Sequence, residues 1–141
     1  MPGVSPSTVT VAGFGCRRGC SEQALRDLLE QTLQAHGVPL AALDALASIE
    51  AKGDEPGLLA LAHSLGLPLV FFSAAQLTRF DACLTRRSAI ALRETGCAGV
   101  AEASALAQAQ ALGNGPATLL IDKHSSAEAS VALACSLAER T

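Results

Sequence analysis

Tryptophan and tyrosine are absent from this 141-residue chain, and phenylalanine occurs only four times. Proteins that hold single-stranded nucleic acid stack its bases on aromatic rings, and those that follow a duplex spread lysine and arginine over one face. With 10 basic against 13 acidic residues and a formal net charge of −3, the chain excludes nucleic acid as a partner. Long apolar runs are missing as well. Half of the residues are hydrophobic, but they are mostly alanine and leucine in stretches too short for a bilayer. No charged segment followed by an apolar one opens the chain, so a cytoplasmic protein without membrane contact is expected. The cysteines, Cys16, Cys20, Cys83, Cys97 and Cys135, are odd in number and contain no Cys-x-x-Cys, which argues against a disulfide framework. His36, His63 and His124 lie far apart along the chain without zinc-type spacing, so the sequence calls for no resident metal and no cofactor.

What is present suffices for one domain, because a chain of this length buries roughly two thirds of its unfolded surface. Residues 1–7, rich in Pro, Gly and Ser, read as a disordered lead-in, and residues 8–141 as a single domain. The most informative stretch follows. Thr8 to Ala12 reads as a buried strand, Gly13, Gly15, Cys16, Arg17, Arg18 and Gly19 as a strand-to-helix turn, and Ser21 as the cap of the next helix. Free backbone N–H groups, the positive end of a helix dipole and two guanidinium groups favour an anion at such a turn. A tight turn with solvated arginines is the alternative. Neither standard phosphate motif is satisfied: Arg18 occupies the third glycine position of a dinucleotide fingerprint, and no Gly-Lys-Ser or Gly-Lys-Thr follows. For Cys16, a helix start and adjacent arginines would make the thiol reactive, whereas the plain reading is a small residue filling a turn.

Beyond that point strands and helices alternate. Ser21 to His36 carries a helical stripe at Leu25, Leu28, Leu29 and Leu33, stopped by Gly37. Leu43 to Lys52 reads as a second strand. Asp54-Glu-Pro-Gly57 opens a helix ended by Gly66, and Pro68 to Phe72 is apolar enough to lie inside a sheet. Ser73 to Phe80 reads as a short helix, Asp81 to Arg87 as a mobile loop, Ser88 to Glu94 as another short helix and Val100 to Leu112 as an alanine-rich one. Thr118 to Lys123 and Ser130 to Leu137 form a possible hairpin. The order predicts an α/β fold, a three-layer α/β/α sandwich around a mixed, mainly parallel central sheet. Ligands of such sheets collect beyond the strand ends, which would bring the Gly13 turn, the Glu50 to Glu55 segment and the region after Lys123 together.

Glu50 and Lys52, two apart on a strand, would share one face and serve a polar pocket or an ordinary ion pair. Glu102 reads as an exposed first-turn acid rather than a catalytic one. Asp122-Lys-His-Ser-Ser126 contains triad residue types, but without a Gly-x-Ser-x-Gly elbow and too close together to face one another.

The series Gly13-x-Gly-Cys-Arg-Arg-Gly19, Ser48-Ile-Glu-Ala-Lys52 with Glu55 and Gly57-Leu-Leu, Pro68-x-x-Phe71, Ser88, Gly96, Val100-Ala-Glu102-Ala, Lys123 and Ser130-Val-Ala-Leu-Ala134 resembles the cobalamin-biosynthesis family formed by CobE and the C-terminal domain of CbiG. The resemblance implies a part in making the corrin ring. Its CbiG-type members are hydrolases that open a lactone on a cobalt-bound precorrin and carry additional N-terminal and central regions, so this chain is expected to be similar to the stand-alone CobE type of the oxygen-dependent route. Two functions follow from that. One is binding or handing over a precorrin or hydrogenobyrinic-type tetrapyrrole without catalysis, with other cobalamin-pathway enzymes as potential partners. The other is an enzyme acting on a precorrin, with Glu50, Lys52 and Glu102 as acid–base candidates and the catalytic residues otherwise unassigned. The ligand-binding candidates are Gly13, Gly15, Cys16, Arg17, Arg18, Gly19, Glu50, Lys52, Glu55, Glu102 and Lys123. Precorrins carry several carboxylates, for which Arg17, Arg18, Lys52 and Lys123 are suited partners.

Overall fold

Strand β1 runs Ser7–Cys16 in the computed structural model, which describes residues 7–113 and 115–138. The lead-in expected over residues 1–7 therefore falls outside the described residues except for Ser7, which already pairs with Ala138. β1 is longer than the Thr8 to Ala12 reading, and Gly13 and Gly15 lie inside it rather than in a turn. The ladder explains the difference: β1 is paired with β2 (Ala45–Ile49) on one side and, all the way to Cys16, with β5 (Ala129–Ala138) on the other. A backbone whose N–H and C=O groups are laddered to a neighbour stays extended whatever its glycines would allow, and beyond Gly13 that neighbour is β5 alone.

Helix α1, Glu22–Ala35, begins where Ser21 Oγ accepts the Ala24 N–H at 3.1 Å. It buries Leu25, Leu28, Leu29 and Leu33 and ends at Gly37, whose φ of +68° is the left-handed conformation that suits glycine. β2 stops at Ile49, and Glu50–Lys52 coil into a 3-10 turn, which corrects the strand expected to reach Lys52. Helix α2, Pro56–Leu65, starts on proline, which has no N–H to leave unpaired, and ends at Gly66. β3, Leu69–Phe72, lies at the sheet edge rather than inside it. Its unbroken apolar run reflects helices covering both faces, since Leu69 and Phe71 face one core and Phe72 the other. Apolarity of a strand reports covered faces, not a central place in the strand order.

Short helices α3, Ala74–Thr78, and α4, Ala89–Thr95, are capped by Ser73 and Ser88. Helix α5, Val100–Leu112, matches the sequence reading, and β4, Thr118–Ser125, forms the expected antiparallel hairpin with β5. The strand order is β3-β2-β1-β5-β4. β3, β2 and β1 are mutually parallel, β5 opposes β1, and β4 opposes β5. Four strands thus point one way and β5 alone the other, a mixed and mainly parallel sheet.

Two apolar layers hold it together. Ala12, Phe14, Val131 and Leu133 pack with Leu25, Leu29, Leu58 and Leu61 of α1 and α2, while Val11, Ala45, Ala47 and Ala134 pack with Ala105, Leu106 and Ala109 of α5. The α5 layer is thin because its contact residues are small. At Gly13 the helix backbone lies directly on the strand: an added Cβ would run into the Ala101 carbonyl and sit 2.6 Å from Ala105 N. Gly13 therefore serves packing.

Candidate functional site

A groove of about 290 Å³ opens at the carboxyl ends of β1, β2 and β4, the end of an open α/β sheet at which ligands are usually held. Gly15, Cys16 and Arg17 come from the end of β1, Ile49 and Lys52 from the end of β2 and its 3-10 turn, and Lys123 from β4. The hairpin bend from Ser125 to Ser130 closes one side, and Ile90, Ala91, Glu94 and Thr95 of α4 form the other. A second hollow of about 620 Å³ shares Arg17, Lys52, Ile90, Glu94 and Thr95 with it and adds Arg18.

Lys52 is the most informative member. It is 9 % exposed, and among the described residues no side-chain ion pair or hydrogen bond is formed by Lys52, Arg17 or Lys123. The Lys52 stem is buried while its ammonium stays open to the groove, an arrangement that offers the charge to a ligand. Arg17 is placed by its backbone, whose N–H donates to the Glu128 carbonyl at 2.9 Å. The wall opposite is mixed, with Ile90, 59 % exposed, and Ala91 as its apolar part and Glu94 and Thr95 as its polar part.

The other predicted residues have different places. The Gly19 N–H, expected to wait for an anion, donates to Glu55 Oε1 at 2.9 Å, and Glu55 is itself buried. The anion at that turn is thus a side chain of the protein. Glu102 is only 1 % exposed, not the exposed helix-start acid expected. Its carboxylate accepts the Thr85 N–H at 2.7 Å, the Thr85 hydroxyl at 2.5 Å and the Lys123 N–H at 2.9 Å. A break in the β4–β5 register between Ile121 and His124 turns that last N–H off the ladder. The Asp81 to Arg87 segment, expected to be a mobile loop, starts with a 3-10 turn at Asp81–Cys83 and is tied down at Thr85 by Glu102. Glu50 is exposed on its turn, does not line the groove, and does not share a strand face with Lys52.

Cys16 lines the groove with its thiol pKa pushed up to about 12, first by burial and then by Cys20 and Glu55, with Lys52 acting against them. The activated-thiol reading is corrected accordingly: burial outweighs the neighbouring cation. Burial also raises the Cys20 and Cys97 thiols. Sequence reasoning gave the short helix α4 but missed its place as a wall of the groove, although its apolar Ile90 and Leu92, both more than half exposed, are the residues that a helix without a core face leaves as a signal.

Residues 10–134 match the family model described as cobalamin synthesis G C-terminus. The chain belongs to that family. Protein CobE of Sinorhizobium sp is 37 % identical over 124 residues, 88 % of this chain and 78 % of that one. A crystal structure of CobE, a protein from the cobalamin (vitamin B12) biosynthetic pathway, is 54 % identical, covers 98 % of both chains and superposes with a TM-score of 0.91. Cobalt-precorrin-5A hydrolase of Priestia megaterium is 31 % identical over 126 residues, 89 % of this chain but only 32 % of the hydrolase. The resemblance read from the motif series is thereby borne out. Membership places the chain among cobalamin-synthesis proteins, and it spans about a third of the hydrolase's length.

Proposed function

We propose that this cobalamin-synthesis G C-terminal domain binds a precorrin or corrin intermediate in the groove at the strand ends and hands it on without altering it. The observation that carries this reading is the unpaired cation set, Arg17, Lys52 and Lys123, gathered from three strand ends around one groove. Side-chain carboxylates of a tetrapyrrole would pair with these cations, and its apolar face would lie against Ile90 and Ala91 of α4. Arg18, in the adjoining hollow, extends the cationic rim.

Support for binding over hydrolysis comes from the acid–base candidates. Of Glu50, Lys52 and Glu102, Glu102 has only internal contacts and Glu50 lies outside the groove, so that Lys52 alone reaches it. A general acid or base must reach the proton that it moves, and neither carboxylate candidate does so here, while Lys52 is placed to pair with a ligand carboxylate.

The test is co-elution. Hydrogenobyrinic acid is incubated with the chain, free pigment is removed on a desalting column, and retained pigment is read by visible absorption and weighed by mass spectrometry. Stoichiometric retention of pigment of unchanged mass by the wild type, reduced at least about tenfold by Lys52→Met and by Arg17→Ala, supports the reading; that factor corresponds to loss of one charge-assisted contact of about 1.4 kcal/mol. Retention of a pigment with altered mass makes the protein an enzyme. Absence of retained pigment overturns binding by the chain alone.

A further inference from the structure

His36 and His124 stand 88 residues apart in the chain, yet their Nε2 atoms are 3.1 Å apart on the face of the sheet that carries α1. The ring centroids are 5.1 Å apart and the planes meet at 83°. We propose that this pair is a surface site for a divalent transition-metal ion that favours imidazole (Zn²⁺, Ni²⁺ or Cu²⁺), with water completing the coordination shell. The site is independent of the groove and of the reading given to it.

The geometry matches the bite of one ion. Two imidazole nitrogens bound at about 2.0–2.1 Å lie roughly 2.9–3.4 Å apart for ligand angles between a right angle and the tetrahedral value. The observed separation falls in that window. The edge-to-face arrangement means that no ring stacking has to be broken for both nitrogens to turn toward a common point. Imidazole is the side chain these ions select.

Each histidine is also held by its element. His36 is the residue that ends α1, its own N–H donating to the Leu33 and Gln34 carbonyls, so an ion there sits at the negative end of the helix dipole. His124 follows the register break in β4 and pairs with Val131 of β5. That break sets consecutive residues to opposite tasks: the Lys123 N–H is turned to Glu102, and His124 toward α1.

Without metal, one neutral ring donates its Nε2 proton to the other ring's Nε2. On binding, that proton passes through water to Nδ1 of the same ring, and both Nε2 lone pairs become metal ligands with no net proton released. Among the described residues no cluster of three or more histidine, cysteine, aspartate or glutamate side chains is poised for a metal, so the ion is held by two protein ligands and exchanges readily.

The experiment is calorimetric titration of the tag-free chain with zinc chloride, paired with thermal unfolding. One ion per chain is expected. Because the ion bridges α1 and β4, Tm should rise by about 9 °C at zinc near a hundred times its dissociation constant. His36→Gln and His124→Gln should each weaken binding at least about tenfold and remove most of the shift, since each deletes one of the two protein ligands. His63→Gln, an exposed histidine on α2, should change neither. Both test residues are at least partly exposed, so the variants are expected to keep the wild-type circular dichroism spectrum. No zinc heat from the wild type, binding unchanged in either variant, or binding lost only with His63→Gln would overturn the site.

Discussion

Gly13 and Gly15 point to the same side of β1, but only one of them lacks room for a methyl group. A Cβ at Gly13 would collide with the α5 backbone, whereas at Gly15 the nearest atom is Val100 Cβ at 3.6 Å. Gly13→Ala should therefore destabilise the domain by about 3 kcal/mol, the upper end for overpacking, and Gly15→Ala by less than about 0.5 kcal/mol; urea unfolding of the two variants checks this. A ligand-binding role common to both glycines would instead leave stability alike and change retention of pigment. Cys16 makes a second residue-scale prediction. With its pKa at about 12, only about one thiol in ten thousand is ionised at pH 8. A thiol reagent should modify exposed Cys83 first and reach Cys16 and buried Cys20 and Cys97 only on unfolding, as peptide mapping after brief labelling would show. Rapid native labelling of Cys16 would restore the activated-thiol reading.

At the scale of elements, α5 does more than cover the sheet. Through Glu102 in its first turn it holds the chain segment before α4 and the displaced edge of β4, the two parts that carry opposite walls of the groove. Glu102→Gln replaces a carboxylate that only accepts by an amide that must also donate, here toward N–H groups. A loss of about 2 kcal/mol in unfolding free energy is expected, together with weaker pigment retention although Glu102 does not line the groove. The 3-10 turn after β2 gives the opposite pattern. Lys52 buries its stem and leaves its ammonium in the groove without a partner among the described residues, so Lys52→Met, which keeps the buried length, should change stability by less than about 0.5 kcal/mol while reducing retention. A variant that loses both stability and binding would mean that Lys52 is structural. Elements with a repeating apolar stripe and a stop signal, α1, α2 and α5, were legible in the chain. β1 was not delimited correctly, because its far half is kept extended by partners distant in sequence.

For the molecule as a whole, the raised thiols set a limit on alkaline stability. Cys16, Cys20 and Cys97 have higher pKa values folded than unfolded, so above the ordinary thiol pKa the unfolded chain has released protons that the native one still holds. The unfolded state then binds fewer protons, and stability falls as pH rises from about 9 toward 12. Unfolding midpoints measured across that range should decline, and less steeply for Cys16→Ala. No helix among the described residues is long and apolar enough to cross a membrane, in keeping with the short apolar runs of the sequence. The sequence by itself determined the fold class, the order of strands and helices, and family membership, because periodicity, caps, breakers and motif order are properties of neighbouring residues. It also picked out Arg17, Lys52 and Lys123 as basic residues near strand ends. Only the tertiary structure decided that Gly19 and Glu55 satisfy each other, that Glu102 is buried, that α4 walls the groove, and that His36 meets His124. Each of those depends on which distant segments a sheet of order β3-β2-β1-β5-β4 brings within hydrogen-bond reach, and contacts across tens of residues leave no local pattern from which to read them.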